Sequence, residues 1–265
     1  MAAPDWLELC RRAAARASEA IAREPDRSAA LDRGAGGDTT LVIDKAAEDA
    51  VFAELEALDG GLLAISEERG EVEVNGGGVL RVVIDPVDGS RNARRGAGSF
   101  CLSVAVAEGG TVGDIVFGYV HEFETGQDWW ARRGEGAFRD GSRLATSASD
   151  ELELLGLENT HPSQVAAAGA ALEETGAERL RALGAVAMSL CHVAGGGLDA
   201  MLTLGETRSV DLAAGQLLVR EAGGAVALPE AGGLDAPLGL DMRSRVLAAA
   251  TEGGLARLQA AFPGA

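Results

Sequence analysis

The chain is short of the residues that carry most nucleophilic and structural-metal chemistry. Its 265 residues include three cysteines and three histidines. Cys10, Cys101 and Cys191 are odd in number, far apart and without CxxC spacing, which excludes a disulfide framework and a zinc-finger-type site. His121, His161 and His192 stand apart from one another, there is no Walker or GxSxG sequence, and each histidine reads as structural or surface. Catalysis by a Cys–His or Ser–His pair has little to stand on. No stretch approaches the roughly 18 uninterrupted apolar residues of a membrane span. The segment MAAPDWLELCRRAAARASEAIAREPD interleaves apolar and charged residues, unlike the basic-then-apolar order of a secretory signal. The expectation is a cytoplasmic enzyme or binding protein.

Aromatic residues are also scarce, at 4%, while alanine and glycine abound, so helices should pack closely on small side chains. Positive charge is in deficit: 23 basic against 41 acidic residues give −18, and Lys45 is the only lysine. That balance excludes general affinity for nucleic acid and anionic membranes, both polyanions. The acidity reads first as solubility, and second as a high-salt cytoplasm or a site that concentrates divalent cations.

What remains, 47% hydrophobic and 24% charged residues, is the composition of a globular protein. Residues 5–23 carry apolar side chains at helical spacing and end near Pro25. RSAALDRGAGGDTT reads as a mobile loop. IDKAAEDAVFAELEALDGG reads as a helix with Ala47, Val51, Leu55 and Leu58 on one face, Asp44 and Glu48 on another, and Gly60 as its stop. LLAI and VLRVVI read as buried strands, and the segment from FCLSVAVAEGG to the GEGAF hairpin as an antiparallel meander. Beyond about residue 145, HPSQVAAAGAALEETGAERL reads as a helix, LCHVAGGGLDAMLTL as a helix breaking at glycines into a strand, and VDLAAGQLLVREAGGAV as a helix capped by glycine. The expected division is an α+β lobe over 1–145, with most of the acidic motifs, and an α/β lobe over 146–265.

With nucleophiles absent, the carboxylates carry the chemistry, and they fall at the ends of predicted strands, where α/β proteins place their sites. Glu67 and Glu68 follow LLAIS; Asp85 and Asp88 follow VLRVVI; Asp211 opens a helix. Singly, each fits a cap or a turn. Together they argue otherwise. Asp85 and Asp88 flank Pro86, whose fixed backbone turns both carboxylates, with the Val87 carbonyl, toward one point. Carboxylates so crowded repel, and a hard divalent cation relieves the repulsion. Gly89 and Ser90 then offer backbone N–H groups to an anion. Oxygen ligands beside an anion cradle describe a magnesium site that takes a phosphate.

ISEE, DPVDGSRN and VDLAAGQLLVREAGG resemble the three signatures of the inositol monophosphatase family, in their order and at similar spacing, and the resemblance runs from DTTLVIDKAAED to the C-terminal helix. ISEERG and RSVDLAAG resemble its archaeal-type branch, whose members often hydrolyse inositol phosphates and fructose 1,6-bisphosphate. The resemblance implies a layered α-β-α-β-α sandwich and a homodimer. It implies two or three magnesium ions per site, held by Glu67, Asp85, the Val87 carbonyl, Asp88 and Asp211. It also implies that Ser90 orients the attacking water with Asp44 as its base or partner, that Glu68 holds outer water, and that Asp88, Gly89 and Ser90 meet the phosphate. The substrate it implies is a small phosphorylated sugar or inositol, with neither nucleic acid nor membrane expected as a partner. Val210 stands where the family usually has tryptophan, Ser90 where it has threonine, and Ile43 where many members have threonine.

Arg91, Arg94 and Arg95 follow the motif and Arg208 precedes Asp211, so arginines could clamp a second phosphate bidentately. Arg91 and Arg208 are the stronger candidates, and they favour a bisphosphate. Alternatives are a 3′-phosphoadenosine 5′-phosphate phosphatase, for which the chain is short and shows no adenine platform, and a catalytically weak metal- or phosphate-binding module. Asn92 reads as turn-stabilising.

Overall fold

The helix Trp6–Arg23 starts where the Asp5 carboxylate accepts a hydrogen bond from the Glu8 amide (3.3 Å), satisfying one free donor of the first turn. The computed structural model describes residues 4–37 and 39–263, without the side chain of Asp32. Residues 1–3 of the segment weighed as a signal, and Asp38 of the glycine-rich loop, lie outside the described residues.

The first helix buries Leu9, Cys10, Ala13, Ala14, Ala17 and Ile21, and its alanines let it lie close against a second helix, Val42–Glu56. The pair covers one face of a sheet that has, among the described residues, eight strands. Spatially these run Ser142–Arg143, Gly136–Arg139, Asp128–Arg132, Ile115–Glu122, Cys101–Ala107, Arg81–Asp88, Leu62–Ser66, Gly70–Val74. Neighbours are antiparallel except Leu62–Ser66 with Arg81–Asp88, which run parallel. Period-two alternation sends Val82 and Ile84 to the outer helices and Val83 to the opposite face. There the sheet packs on Val186–Ala194 and Ser209–Glu221. These two helices meet at Gly215, where a Cβ would lie 2.6 Å from Leu190 Cδ1. Beyond them is a second sheet of Arg179–Arg181, Leu154–Glu158, Ala200–Thr203, Leu247–Ala249 and Ala225–Ala227. Its outer face buries Leu155, Leu157 and Leu202 against Leu172, Leu255 and Leu258 of the last helical layer. The expected five-layer α-β-α-β-α sandwich is the observed fold.

Three local readings need correction. RSAALDRGAGGDTT contains an antiparallel ribbon, Ala30–Arg33 with Thr39–Leu41. The second helix stops at Glu56, not Gly60, where the Asn75 side chain donates to the carbonyls of Leu55 (3.3 Å) and Leu58 (2.8 Å), an end signal that comes from the turn after the strand Gly70–Val74. HPSQVAAAGAALEETGAERL is two short helices, Pro162–Ala167 and Gly169–Glu174, followed by the strand Arg179–Arg181. The first buries nothing and the second buries Leu172, so packing does not enforce one continuous helix. The meander, the GEGAF hairpin and the helix–glycine–strand passage at 186–203 stand as read.

Candidate active site

The central strand Arg81–Asp88 ends irregularly because Pro86 has no N–H for the ladder. Against Cys101–Ala107 the register moves from Asp85↔Ser103 to Asp88↔Cys101, three steps on one strand for two on the other. Within this bulge the Val87 amide donates to Asp85 Oδ1 (3.1 Å). Gly89 follows at φ 86°, and a Cβ there would lie 2.8 Å from the Ser99 carbonyl, so both conformation and space require glycine. Ser90 opens the short helix Ser90–Arg95.

Glu67 follows the parallel neighbour strand, in which Ser66 pairs with Ile84, so its side chain comes beside Asp85. The Gly36 and Ala35 amides donate to the carbonyls of Glu67 (2.8 Å) and Glu68 (2.9 Å), and Thr40 Oγ1 donates to Glu68 Oε2, which pins the ribbon to the site. Asp44 and Asp211 reach the site by a shared device. Each is the third residue of its helix and reaches back to the cap backbone, Asp44 Oδ2 accepting from Leu41 N (2.7 Å) and Asp211 Oδ2 from Arg208 N (2.8 Å). One oxygen anchors the helix start, and the side chain as a whole lines the cleft. Asp211 therefore opens its helix from inside the first turn, with Arg208 at the cap.

Ligand oxygens of Glu67, Asp85 and Asp211 lie within 4.8 Å of one another. Asp85 is 2% exposed and Asp44 4%. Burial, then the charges of Glu67, Asp88 and Asp211, push the Asp85 carboxyl far above the usual range. Burial and then Asp211 do the same to Asp88, against a 2.6 Å hydrogen bond from the Ala187 amide that favours its charged form. Glu67 rises to about 7, through burial and then Asp211, with the Arg208 guanidinium opposing. Asp44 also rises to about 7, chiefly through burial. Its Oδ1 is buried without a hydrogen-bond partner. Arg208 Nη2 donates to Glu67 Oε1 at 2.6 Å and lies 3.7 Å from Asp211 Oδ1. The arginine expected to clamp a second phosphate thus sits within the acidic cluster.

The cleft, of about 950 Å³, is lined by Asp44, Glu67, Glu68, Asp85, Val87, Asp88, Gly89, Ser90, Arg91, Arg94, Arg208 and Asp211, so it gathers every residue expected at the site. Arg95, on the same short helix, is not among the lining residues. Val210 is buried in the central core beneath Asp211, where an aliphatic side chain fills the space. Sequence reasoning missed a further part of the cleft wall, Glu158 to His161 with Gln164 and Gly184. The usable signal was that LLGLE ends a buried strand on an acid, as LLAISEE and VVIDPVD do. His161, read as isolated, belongs to this wall; its Nδ1 lies 2.8 Å from Ser163 Oγ.

Crowded carboxylates with raised proton affinity, and an orphaned buried oxygen on Asp44, are hard donors in search of positive charge, and they fit a hard divalent cation. Glu67, Asp85 and Asp211 could hold such an ion. Among the described residues, no helix is long and apolar enough to cross a membrane.

Comparison with known proteins agrees with the site. The profile of the inositol monophosphatase family matches residues 5–262. The fructose-1,6-bisphosphatase/inositol-1-monophosphatase of Methanothermobacter thermautotrophicus is 34% identical over 248 residues, 88% of this chain and 87% of that protein. The protein of the same name from Thermococcus kodakarensis is 33% identical over 227 residues, 82% and 80% of the two chains. The solved structure of the extragenic suppressor protein suhB from Bartonella henselae superposes with a TM-score of 0.82 at 26% identity, covering 97% of this chain and 98% of that one. The chain belongs to the inositol monophosphatase family, a family of metal-dependent phosphoric monoester hydrolases.

Proposed function

We propose that the chain hydrolyses phosphate monoesters of inositol, fructose 1,6-bisphosphate or both, with magnesium as its cofactor. The observation that carries this is the meeting of Glu67, Asp85 and Asp211, from three separate segments of the chain, within 4.8 Å of one another in the cleft. Glu67, Asp85 and the Val87 carbonyl would hold one ion, and Asp85, Asp88 and Asp211 a second. When bound, the ions supply the positive charge that makes water nucleophilic near neutral pH and offsets charge on the leaving oxygen.

The protein's own groups do the rest. Ser90 orients the water through its hydroxyl. Asp44, with one oxygen anchored on Leu41 and the other unpartnered, takes the proton. A carboxyl brought to about 7 by burial is matched to that task, because proton acceptors work best near the ambient pH. The Gly89 and Ser90 amides at the start of the short helix receive the phosphate oxygens, and Glu68 holds outer water. Arg91 and Arg94, exposed on the rim of the cleft, meet a second phosphate, and Arg208 keeps Glu67 and Asp211 in register.

The reading extends to the whole molecule. The chain divides near residue 145, the first sheet ending at Arg143 and the second starting at Leu154, and the shared core of Val83, Leu190 and Leu217 makes the two parts fold together. A cytoplasmic homodimer follows from the family resemblance, and light scattering on the purified protein tests it. The deciding experiment is phosphate release from inositol 1-phosphate, fructose 1,6-bisphosphate and adenosine 3′,5′-bisphosphate, with magnesium and with chelator. Magnesium-dependent turnover of either of the first two supports the proposal. Turnover of the adenosine ester alone, or of none, overturns it.

A further inference from the structure

Glu158 is a carboxylate buried to 2% exposure at the end of the strand Leu154–Glu158, on the wall of the cleft away from the acidic cluster's own strands. The hydrogen bonds of its carboxylate go to one short segment and the helix behind it. Oε1 accepts from the Leu183 amide (2.9 Å) and Ser189 Oγ (2.7 Å), and Oε2 from the Gly184 amide (2.9 Å). From the opposite side, Asn92 Nδ2 donates to the carbonyls of Leu183 (2.7 Å) and Ser99 (2.9 Å). Gly184 takes φ 81°, and a Cβ there would lie 2.8 Å from Asn92 Nδ2. Residues 183 and 184 are therefore clamped between a carboxylate and an amide.

That segment leads directly into the nine-residue helix Val186–Ala194, whose Ala187 amide donates to Asp88 Oδ2 at 2.6 Å. A helix start is the natural seat for a carboxylate, provided that it is held still. The connection runs from Glu158 to the backbone of 183 and 184, to the helix start, to Asp88. We propose that Glu158 is a positioning residue that fixes this helix start so that Asp88 keeps one oxygen on the Ala187 amide and presents the other to a divalent cation. Its charge works in the same direction, since it lies within Coulombic reach of Asp88 and adds to the negative potential there. This assignment also gives Asn92 a task, holding the same segment from the far side.

The inference rests on the metal-site reading above, and metal binding itself tests it. In the full chain, Glu158→Gln keeps the size of the side chain but removes its charge and reverses one acceptor. Calorimetry with Mn²⁺ should show affinity 10- to 100-fold weaker, the usual cost of losing an outer partner of a metal ligand. Excess metal should restore kcat. In an Asp88→Asn background, the same substitution should change Mn²⁺ affinity by less than twofold, because its effect passes through Asp88. A thermal melt in chelator reports whether the variant folds; if it does not, Asn92→Ala loosens the same segment and should weaken Mn²⁺ binding likewise. Folded variants with wild-type Mn²⁺ affinity, or an equal loss without Asp88, would overturn the assignment. A wild-type chain that binds no Mn²⁺ would instead overturn the metal site on which it depends.

Discussion

Asp85→Asn should make the metal-free protein more stable while removing its activity. Asp85 is 2% exposed, and its ligand oxygen lies within 4.8 Å of those of Glu67 and Asp211. At an effective dielectric of about 20, two unit charges at 4.8 Å repel by about 3.5 kcal/mol. Arg208 offsets part of this through its contacts with Glu67 and Asp211. The cluster can avoid the repulsion by holding protons, but at pH 8 that too costs free energy, since an ordinary carboxyl gives up its proton near pH 4. A neutral amide escapes both costs, and its carbonyl can still accept from Val87 N. The gain should be about 2 to 4 kcal/mol at pH 8, a rise in Tm of about 5 to 15 °C for a chain of this size.

The assay is thermal unfolding in chelator at pH 5 and pH 8, repeated with magnesium, alongside phosphate release. At pH 5 Glu67 and Asp85 of the wild type hold their protons and the advantage of the variant should shrink. With saturating magnesium the order should reverse, because a ligand that binds the folded state stabilises whichever form binds it more tightly. Phosphate release should fall at least 100-fold, since losing a direct ligand of the proposed metal site exceeds the usual cost of an outer-partner change. A lower Tm for the variant at pH 8 in chelator, or turnover within tenfold of wild type, would refute the account of this cluster.

Three further outcomes follow from the same geometry. Asp44 and Glu67 have carboxyls raised to about 7 in the folded chain, so they favour folding most at low pH and lose that contribution as pH climbs from about 4 through 7. The Tm of the chelated protein should fall over that window, and calorimetry in buffers of different ionisation enthalpy should detect protons released on magnesium binding near pH 7. Asp44→Asn should cut kcat by about 10²- to 10⁴-fold, the usual worth of a proton acceptor, while Mn²⁺ affinity changes only a few-fold; a comparable loss of metal would make Asp44 a ligand instead. Arg91→Ala combined with Arg94→Ala should raise KM for fructose 1,6-bisphosphate by about tenfold, in line with a lost charged hydrogen bond, and leave inositol 1-phosphate unaffected; equal effects on both would remove these arginines from specificity.

How much of this was legible depended on whether the cause was local. The turn at VVIDPVDGS could be read because proline, glycine and the two aspartates dictate it within a few residues, and the structure adds that the missing Pro86 N–H breaks the ladder there. Glu67 was legible as an acid at the end of a buried run. Asp44 and Asp211 were legible as candidates, but not their shared anchoring on Leu41 and Arg208, which depends on where two helices begin. The early stop of the second helix was hidden because the side chain that meets it, Asn75, lies beyond a strand pair. Arg208 was legible as an arginine beside the site but not by its partner, since spacing along a chain says nothing about which carboxylate a guanidinium meets; it meets Glu67, 141 positions away.

The least legible residues explain the most about how the site is held. Asn92 was legible only as turn-stabilising because its second partner, the Leu183 carbonyl, is 91 positions away. Glu158 looked like one acid among many because its value lies in three donors from a loop and a helix that the sequence does not join to it. Residues that touch the reacting groups are confined to strand ends and helix starts, and those places leave marks in composition. Residues that hold them are free to sit anywhere the backbone passes. A carboxylate survives burial only where several donors meet it, so a buried acid at a strand end outside the cluster is itself a sign of such an outer frame.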